Sequence, residues 1–348
     1  MQIDYLIVGL GLAGISFCEQ LKAHNKSFVV FSDNSQQSSQ VAGGLYNPVV
    51  LKRFTPVWKC EAQLELLSMY SNIEKEFNIK LDYKIPVYRR FASLEEQNDW
   101  FTASDKPVLS AYMSVNMVKN SNYAVNAPFG FGQVLKTGRI DIKTLIDIYE
   151  KDLQAKSVFY PKTFHYDKLQ IEQDLVAYGN IKARHIVFAE GSGIRYNPYF
   201  KALPLRPAKG ELLIIHAPKL KMDYVLKANV FLIPLGNDRY IVGTTYNWEN
   251  LNNNTSKKAK EELVLKLEKE INCDFKIENQ VAGVRPTVKD RRPLVGRHVK
   301  YKNLYVLNGL GTRGVMIGPY VAKQLYNFIE NDLPLDDEIN IARFTDVL

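Results

Sequence analysis

The residues best placed to do chemistry in this chain are glycines. Gly9, Gly11 and Gly14 follow the apolar run Tyr5-Leu6-Ile7-Val8 at once, with the spacing of a phosphate-binding corner. Gly9 allows a tight turn, Gly11 lets the backbone approach a pyrophosphate, and Gly14 lets the following helix pack on the strand. The start of that helix, at Leu12 and Ala13, supplies free N–H groups and the positive end of the helix dipole. Such a corner needs an acidic residue about 20 positions on to hold ribose hydroxyls. Asp33 lies 19 residues beyond Gly14, with Ser32 beside it as the other candidate. The small-residue loop Ser38-Ser39-Gln40-Val41-Ala42-Gly43-Gly44-Leu45-Tyr46-Asn47-Pro48 is of a kind that lets backbone approach a ligand closely, with a flexible connection as the alternative. Ile186-Val187-Phe188-Ala189-Glu190-Gly191 is a second buried strand ending in small residues, and Asn308-Gly309-Leu310-Gly311-Thr312-Arg313-Gly314 is a second glycine corner. Its spacing differs from the first, so it must do another job. These features predict a dinucleotide site. The alternative is a glycine-rich strand–helix turn that holds nothing.

The elements that must position these residues are legible in the pattern. An apolar period through Ile15, Cys18 and Leu21 suits a helix after the first strand, and Phe28–Phe31 is the second strand. Pro56 and Trp58 precede a helical stripe at Ala62, Leu66, Tyr70 and Ile73. From Leu81 to Gln133 the pattern is irregular and reads as part of a second, strand-rich domain. Asp141 is a plausible N-cap for a helix with Leu145, Ile148, Tyr149 and Leu153 on one face. Short strands follow around Leu169–Ile171, Leu175–Tyr178 and Leu212–Ile215. The runs Val230–Ile233 and Tyr240–Thr245 flank Gly236-Asn237-Asp238 as a hairpin. Thr255 or Ser256 caps a helix with Ala259, Leu263, Leu267 and Ile271 inward. Leu304–Leu307 is the last strand, and Pro319 is expected in the first turn of the last helix.

The bulk properties fit this picture. A length of 348 residues suggests about two domains. With 46% hydrophobic and 24% charged residues the chain has the composition of a soluble globular protein. The net charge of +8 suits an anionic cofactor, a carboxylate substrate or RNA, and equally a basic solvated surface. Cys18, Cys60 and Cys273 are far apart, which argues for a reducing compartment rather than a disulfide framework. No cysteine pair or closely spaced histidine pair offers zinc its ligands, so no metal is expected. The N-terminus lacks the basic region of a signal peptide, and no run reaches the roughly 18 apolar residues of a membrane span. A cytoplasmic protein without a membrane partner is the expectation.

Taken together, Gly9–Gly14, Gly43-Gly44-Leu45-Tyr46-Asn47-Pro48, Phe188-Ala189-Glu190-Gly191, Ala282-Gly283-Val284-Arg285-Pro286, Asp290-Arg291-Arg292-Pro293-Leu294-Val295-Gly296 and Asn308–Gly314 resemble the D-amino-acid oxidase superfamily of flavoproteins. Glycine oxidase and sarcosine oxidase belong to it. The motifs stand in the family's order over most of the chain, with 80–135 the weakest part. The resemblance implies FAD and a mixed α/β fold: a Rossmann-like FAD-binding domain with an inserted antiparallel-sheet substrate domain. It implies a discontinuous layout, with 1–80, 136–205 and 280–348 forming the FAD-binding domain and 81–135 and 206–279 the substrate-binding domain.

The same resemblance assigns roles by position. Gly9, Gly11, Leu12, Ala13 and Gly14 would hold the pyrophosphate. The family places Glu where Ser32 stands here, so the ribose contact falls to Ser32 or to Asp33, one residue late. Gly43, Gly44 and Leu45 would approach the flavin, Ala189 and Gly191 would lie beside the cofactor, and Phe164 would lie near the adenine. Gly309, Gly311, Thr312, Arg313, Gly314 and Val315 would pass under the pyrimidine edge of the flavin, where backbone N–H groups stabilise the charge of the reduced ring. No cysteine lies between 274 and 348, where some relatives link FAD covalently, so non-covalent FAD is implied. Arg285 would grip a substrate carboxylate; the competing role is a structural ion pair with Asp290 or Glu278. Tyr246, a catalytic candidate beside Arg285, and Tyr46 are candidates for polar contacts near the flavin; with 20 tyrosines in the chain, packing is the competing role of each.

The activity so implied is oxidation of a C–N bond in a small-molecule amine, an amino acid or N-substituted glycine, by hydride transfer to flavin N5. The strings Gly309–Gly314 and Val284–Gly296 look especially like the FAD domain of the bifunctional enzyme that matures the wobble uridine of tRNA. That likeness implies a second reading, oxidative removal of a carboxymethyl group from modified tRNA. A flavin-binding protein without turnover is the third. The residues leave substrate, stereochemistry, electron acceptor and oligomeric state open.

Overall fold

Two eight-stranded sheets carry the chain in the computed structural model, which describes residues 1–347. The first is mostly parallel. Gln2–Val8 lies at its centre between Phe28–Phe31 and Ile181–Phe188, and Leu304–Asn308 adds a further parallel strand beside the last of these. Every residue from Tyr5 to Val8 is buried. A strand covered on both faces reads as an unbroken apolar run, and this one does. The second sheet runs Lys276–Arg285, Ala208–His216, Arg239–Gly243, Phe231–Gly236, Val225–Lys227, Val87–Arg90, Phe131–Val134, Met113–Val118. It is antiparallel except where Val225–Lys227 meets Val87–Arg90. A small sheet of Leu45–Tyr46, Gly138–Ile140 and Asp82–Tyr83 joins the two regions.

Seven α-helices follow in order: α1 (Leu12–Ala23), α2 (Cys60–Glu65), α3 (Ser68–Phe77), α4 (Leu94–Ser104), α5 (Ile142–Ala155), α6 (Lys257–Leu267) and α7 (Gly314–Glu330). Helices α1 and α7 pack on each other, and residues of α1, α3, α5 and α7 share one continuous core. The caps expected of Asp141 and Ser256 are present: Asp141 Oδ1 accepts from the Thr144 amide at 3.3 Å, and Ser256 Oγ from the Ala259 amide at 3.3 Å. Among the described residues no helix is long and apolar enough to cross a membrane.

Three local expectations are corrected. The stripe Ala62–Ile73 is not one helix; the chain turns at Leu66–Leu67, dividing α2 from α3. The irregular stretch 81–133 contains a full helix, α4, whose N-cap Ser93 accepts from the Glu96 amide at 3.2 Å. Ser93-Leu94-Glu95-Glu96 is a capping-box spacing and was the available signal. Its Trp100 is fully buried and donates from Nε1 to Ser114 O at 2.9 Å. Pro319 lies inside α7, five residues past its start, not in the first turn. Proline there removes the N–H that would meet the carbonyl four residues back. That carbonyl belongs to Val315, and the buried Tyr70 hydroxyl of α3 donates to it at 3.0 Å. The break in the ladder is filled from a neighbouring helix.

Candidate functional site

A cavity of about 530 Å³ lies between the C-terminal ends of the parallel strands and one face of the antiparallel sheet. Its first wall is the N-terminal glycine corner. Gly9 has φ +103°, and a Cβ on it would lie 2.4 Å from Ala189 O, so the two central strand ends meet where only glycine fits. A Cβ on Gly14 would lie 2.0 Å from Gly9 O. Gly14 therefore serves the packing of α1 on the turn, and it does not reach the cavity. Gly9, Gly11, Leu12 and Ala13 do. Gly11 is the N-cap of α1 and brings no capping side chain; the Leu12 amide donates instead to Ser39 Oγ at 3.2 Å. The remaining first-turn amides are left for an anion.

Beyond this corner the cavity is lined by Ser32, Asp33, Phe164, Ala189 and Gly191. Both Asp33 oxygens are engaged by protein groups, Oδ1 by the Ser35 amide at 3.0 Å and Oδ2 by the Thr163 hydroxyl at 2.9 Å. Burial pushes its pKa up, and these hydrogen bonds outweigh it to leave the carboxyl below its usual range. Phe164 is buried and stacks on Tyr178 at 4.4 Å between ring centres. Glu190, between Ala189 and Gly191, also lines the cavity. Its oxygens accept from Tyr166 Oη at 2.5 Å and Asn197 Nδ2 at 2.8 Å. Burial, opposed by those two bonds, raises its pKa to about 7.

The opposite end is formed by Gly43, Gly44 and Leu45 and by Gly311, Thr312, Arg313, Gly314 and Val315. Gly44, at φ +73°, lies so close to Ile140 that a Cβ would be 1.9 Å from its carbonyl oxygen. Gly309 stands off the wall; its Cβ position is filled by Val288 and Leu294, so it shapes the loop from behind. Arg313 is the N-cap of α7, with no side-chain cap. Two helix N-termini thus point orphan amides into one cavity. The expected Tyr46 contact is not made there: Tyr46 is buried away from the cavity, donating to Asp82 Oδ1 at 2.8 Å.

Arg285 is neither of the ion pairs open to it in the sequence. Asp290 meets Arg343 at 3.2 Å, and Glu278 meets Arg239 at 2.6 Å. The guanidinium instead lies flat over Gly210, where a Cβ would sit 2.0 Å from Nη2. Nη2 donates to Thr244 Oγ1 at 2.5 Å, while Nη1 is buried with no partner. Tyr246 covers it, with the guanidinium carbon 5.0 Å from the ring centre. Burial lowers the pKa of Arg285, yet a guanidinium stays charged. On the facing loop Arg313 donates from Nη1 to Asn47 O at 3.0 Å. Tyr246 itself is 52% exposed and stacks with Trp248, 64% exposed, at the cavity mouth.

Sequence reasoning missed Thr244, Gly210 and Lys227, all set by partners distant in the chain, and placed Ser39 only as part of the small-residue loop. Only Lys227 left a signal, a lysine closing the apolar strand Val225-Leu226.

The family model described as "DAO: FAD dependent oxidoreductase" matches residues 4–327. Glycine oxidase from Bacillus subtilis (strain 168) is 23% identical over 68% of this chain and 65% of its own length. The tRNA 5-methylaminomethyl-2-thiouridine biosynthesis bifunctional protein MnmC of Idiomarina loihiensis is 25% identical over 41% of this chain and 25% of its own. The matches thus span less than two thirds of either curated relative. The crystal structure of glycine oxidase from Bacillus cereus ATCC 14579 superposes with a TM-score of 0.77 at 17% identity, covering 95% of this chain and 96% of that one.

Proposed function

The chain belongs to the family of FAD dependent oxidoreductases of the DAO type, and from that premise we propose that it oxidises the C–N bond of an amino acid or N-substituted glycine. The cavity suits the cofactor. It is floored by close-approach glycines at 9, 43 and 44, and it is lined by the starts of both α1 and α7, neither capped by its own N-cap side chain. The first set would hold the pyrophosphate, Asp33 or Ser32 the ribose, Phe164 and the Ala189–Gly191 turn the adenosine side, and the Gly311–Val315 loop the flavin. Bound FAD would supply the acceptor, at N5, of the hydride leaving the substrate. The division into a cofactor unit (1–80, 136–205, 280–348) and a substrate unit (81–135, 206–279) is part of this reading; strand Lys276–Arg285 straddles its last junction.

One observation carries the substrate class: Arg285 is a buried cation on the cavity wall with no carboxylate partner and one free N–H edge. A buried charge is costly unless paired, and a guanidinium edge pairs best with a carboxylate. Thr244 and Tyr246 hold the guanidinium in place, so the carboxylate it grips would fix the α C–H against the cofactor side of the cavity. Phe231, Leu212 and Ile233 make that wall apolar and help to exclude water. A neutral amine needs no side-chain base, and binding plus orientation are the protein's share of the work.

The test is to purify the yellow protein and follow anaerobic bleaching with glycine, sarcosine, proline and D-amino acids. Bleaching by at least one of these supports the reading. A bound flavin that none reduces would favour a flavin-binding protein without turnover, and a colourless protein without FAD affinity would end the reading altogether. Acid precipitation is expected to release the flavin, since no cysteine lies between 274 and 348.

The Tyr246–Trp248 stack favours a second reading, in which the amine is carried by a tRNA base. Exposed aromatic rings at the mouth of a cationic cavity are platforms for bases. Tight tRNA binding that weakens steeply with salt would support it; no binding at low salt would remove it.

A further inference from the structure

We propose that Lys227 and Arg285 form a two-point anion site on one wall of the cavity, and that the substrate is an amine carrying two acidic groups. This rests on the carboxylate role given above to Arg285 and narrows the substrate class. Lys227 ends the strand Val225–Lys227 and pairs across the sheet with Phe231, which pairs in turn with Gly243. Its ammonium nitrogen stands 4.4 Å over the Phe231 ring. That ring extends into the space a Gly243 side chain would need, 2.5 Å from its Cβ position. The next residue is Thr244, which holds the Arg285 guanidinium. The wall therefore reads cation, phenyl ring, cation. With the ammonium over the Phe231 ring and the guanidinium over Gly210, two strands further along the sheet, neighbouring strands ~4.8 Å apart put the charges roughly 10 Å from each other. Two carboxylates joined by a short apolar spacer fit such a gap, one acid on each cation.

Charge points the same way. Lys227 makes no hydrogen bond or ion pair among the described residues, and the charged groups that act on it, Arg313 and Arg89, are both cations. Arg89 already has its own partner, Glu96, at 2.5 Å. Burial first, and those two cations after it, pull the Lys227 pKa down to about 7. The wall thus holds a second basic group whose protonated form no protein carboxylate pairs among the described residues. One acid on Arg285 leaves it unpaired, and a second acid completes it.

The experiment uses the FAD-loaded protein and acids without an amine, acetate against malonate, succinate and glutarate, read by flavin absorbance and by thermal shift. The best dicarboxylate is expected to bind the wild type about 10-fold or more tighter than acetate, the scale of one charge-assisted contact. Lys227→Met should reduce that ratio to near one while acetate affinity changes little, and Lys227→Arg should restore it; Lys227→Gln replaces the Met variant if that fails to fold. An unchanged ratio in the folded variant overturns the proposal, including the case where the substitution shifts only the flavin midpoint potential. That result leaves the role of Arg285 standing. Acetate affinity unaffected by Arg285→Ala, or no binding of either acid class, would overturn the carboxylate reading and this one with it.

Discussion

Arg285 and Glu190 show how the same cost, burial of charge, takes two outcomes in one cavity. Arg285 cannot give up its proton, so its charge stays on the cavity wall with no carboxylate partner among the described residues. Arg285→Lys keeps the charge but loses the planar fork held by Thr244, and should raise the KM of a carboxylate substrate by about 10–100-fold with less effect on kcat, the scale of one or two charge-assisted bonds. Steady-state kinetics of both variants, Lys and Ala, would check it; an unchanged KM would remove Arg285 from the site. Glu190 can neutralise, and its pKa rises from the ordinary value to about 7. The folded protein then binds a proton that the unfolded chain has released between about pH 4.5 and 7, so Glu190 costs stability progressively as pH rises through that window and by a constant amount above it. Glu190→Gln should therefore melt a few degrees (~2–5 °C) above wild type at pH 8, with the advantage fading towards pH 5. The amide can still accept from Asn197 and donate to the Tyr166 oxygen. Melting curves from pH 5 to 8 at fixed FAD test this, and a difference independent of pH would contradict it.

At the scale of elements, the two helices that open onto the cavity each make a hydrogen bond with a side chain distant in sequence, α1 at its first amide and α7 at the Val315 carbonyl. Gly11→Ala would place a Cβ 3.1 Å from Ser39 Oγ, the hydroxyl that caps α1. Its expected effect is a folded protein with FAD affinity about 10-fold or more weaker, the scale of one disturbed hydrogen bond to a charged group. The flavin-to-protein absorbance ratio of the purified variant, beside its far-ultraviolet circular dichroism, measures this directly. In α7 the carbonyl freed by Pro319 depends on Tyr70. Tyr70→Phe leaves it buried and unmet, at a cost of about 1–3 kcal/mol. Urea unfolding should show a lower midpoint with an unchanged slope; an unchanged midpoint would mean that water or another donor replaces the hydroxyl. Helix α4 carries no such chemistry, yet Ser93 and Glu96 state its start plainly, and the surrounding polar residues obscured it.

At the scale of the molecule, the cavity is bounded by both sheets, so one ligand would brace the whole chain. FAD at about 100 times its dissociation constant should stabilise the fold by about 2.7 kcal/mol, and removing it should lower the melting temperature reversibly; a deflavinated protein that melts at the same temperature would show that FAD does not occupy this cavity. The N-terminal corner was readable in advance because its demands are local. Strand, turn and helix start lie within Ile3–Gly14, and Gly14 answers to a backbone contact made inside that stretch, while Gly9 and Gly11 also answer to Ala189 and Ser39. The same holds for the hairpin about Gly236 and the caps Asp141 and Ser256. The chemistry at the other end was readable only through resemblance, because its parts do not meet in the sequence. Arg285 lies over Gly210 and against Thr244, Arg313 is tied to Asn47, and Lys227 stands over Phe231. Which of them finds a carboxylate and which is left unpaired follows from strand register and burial. Glycine spacing determined by itself that a tight strand–turn–helix corner opens the chain; the pairing of distant strands alone decided where uncompensated positive charge gathers, since charge is felt across space and not along the chain.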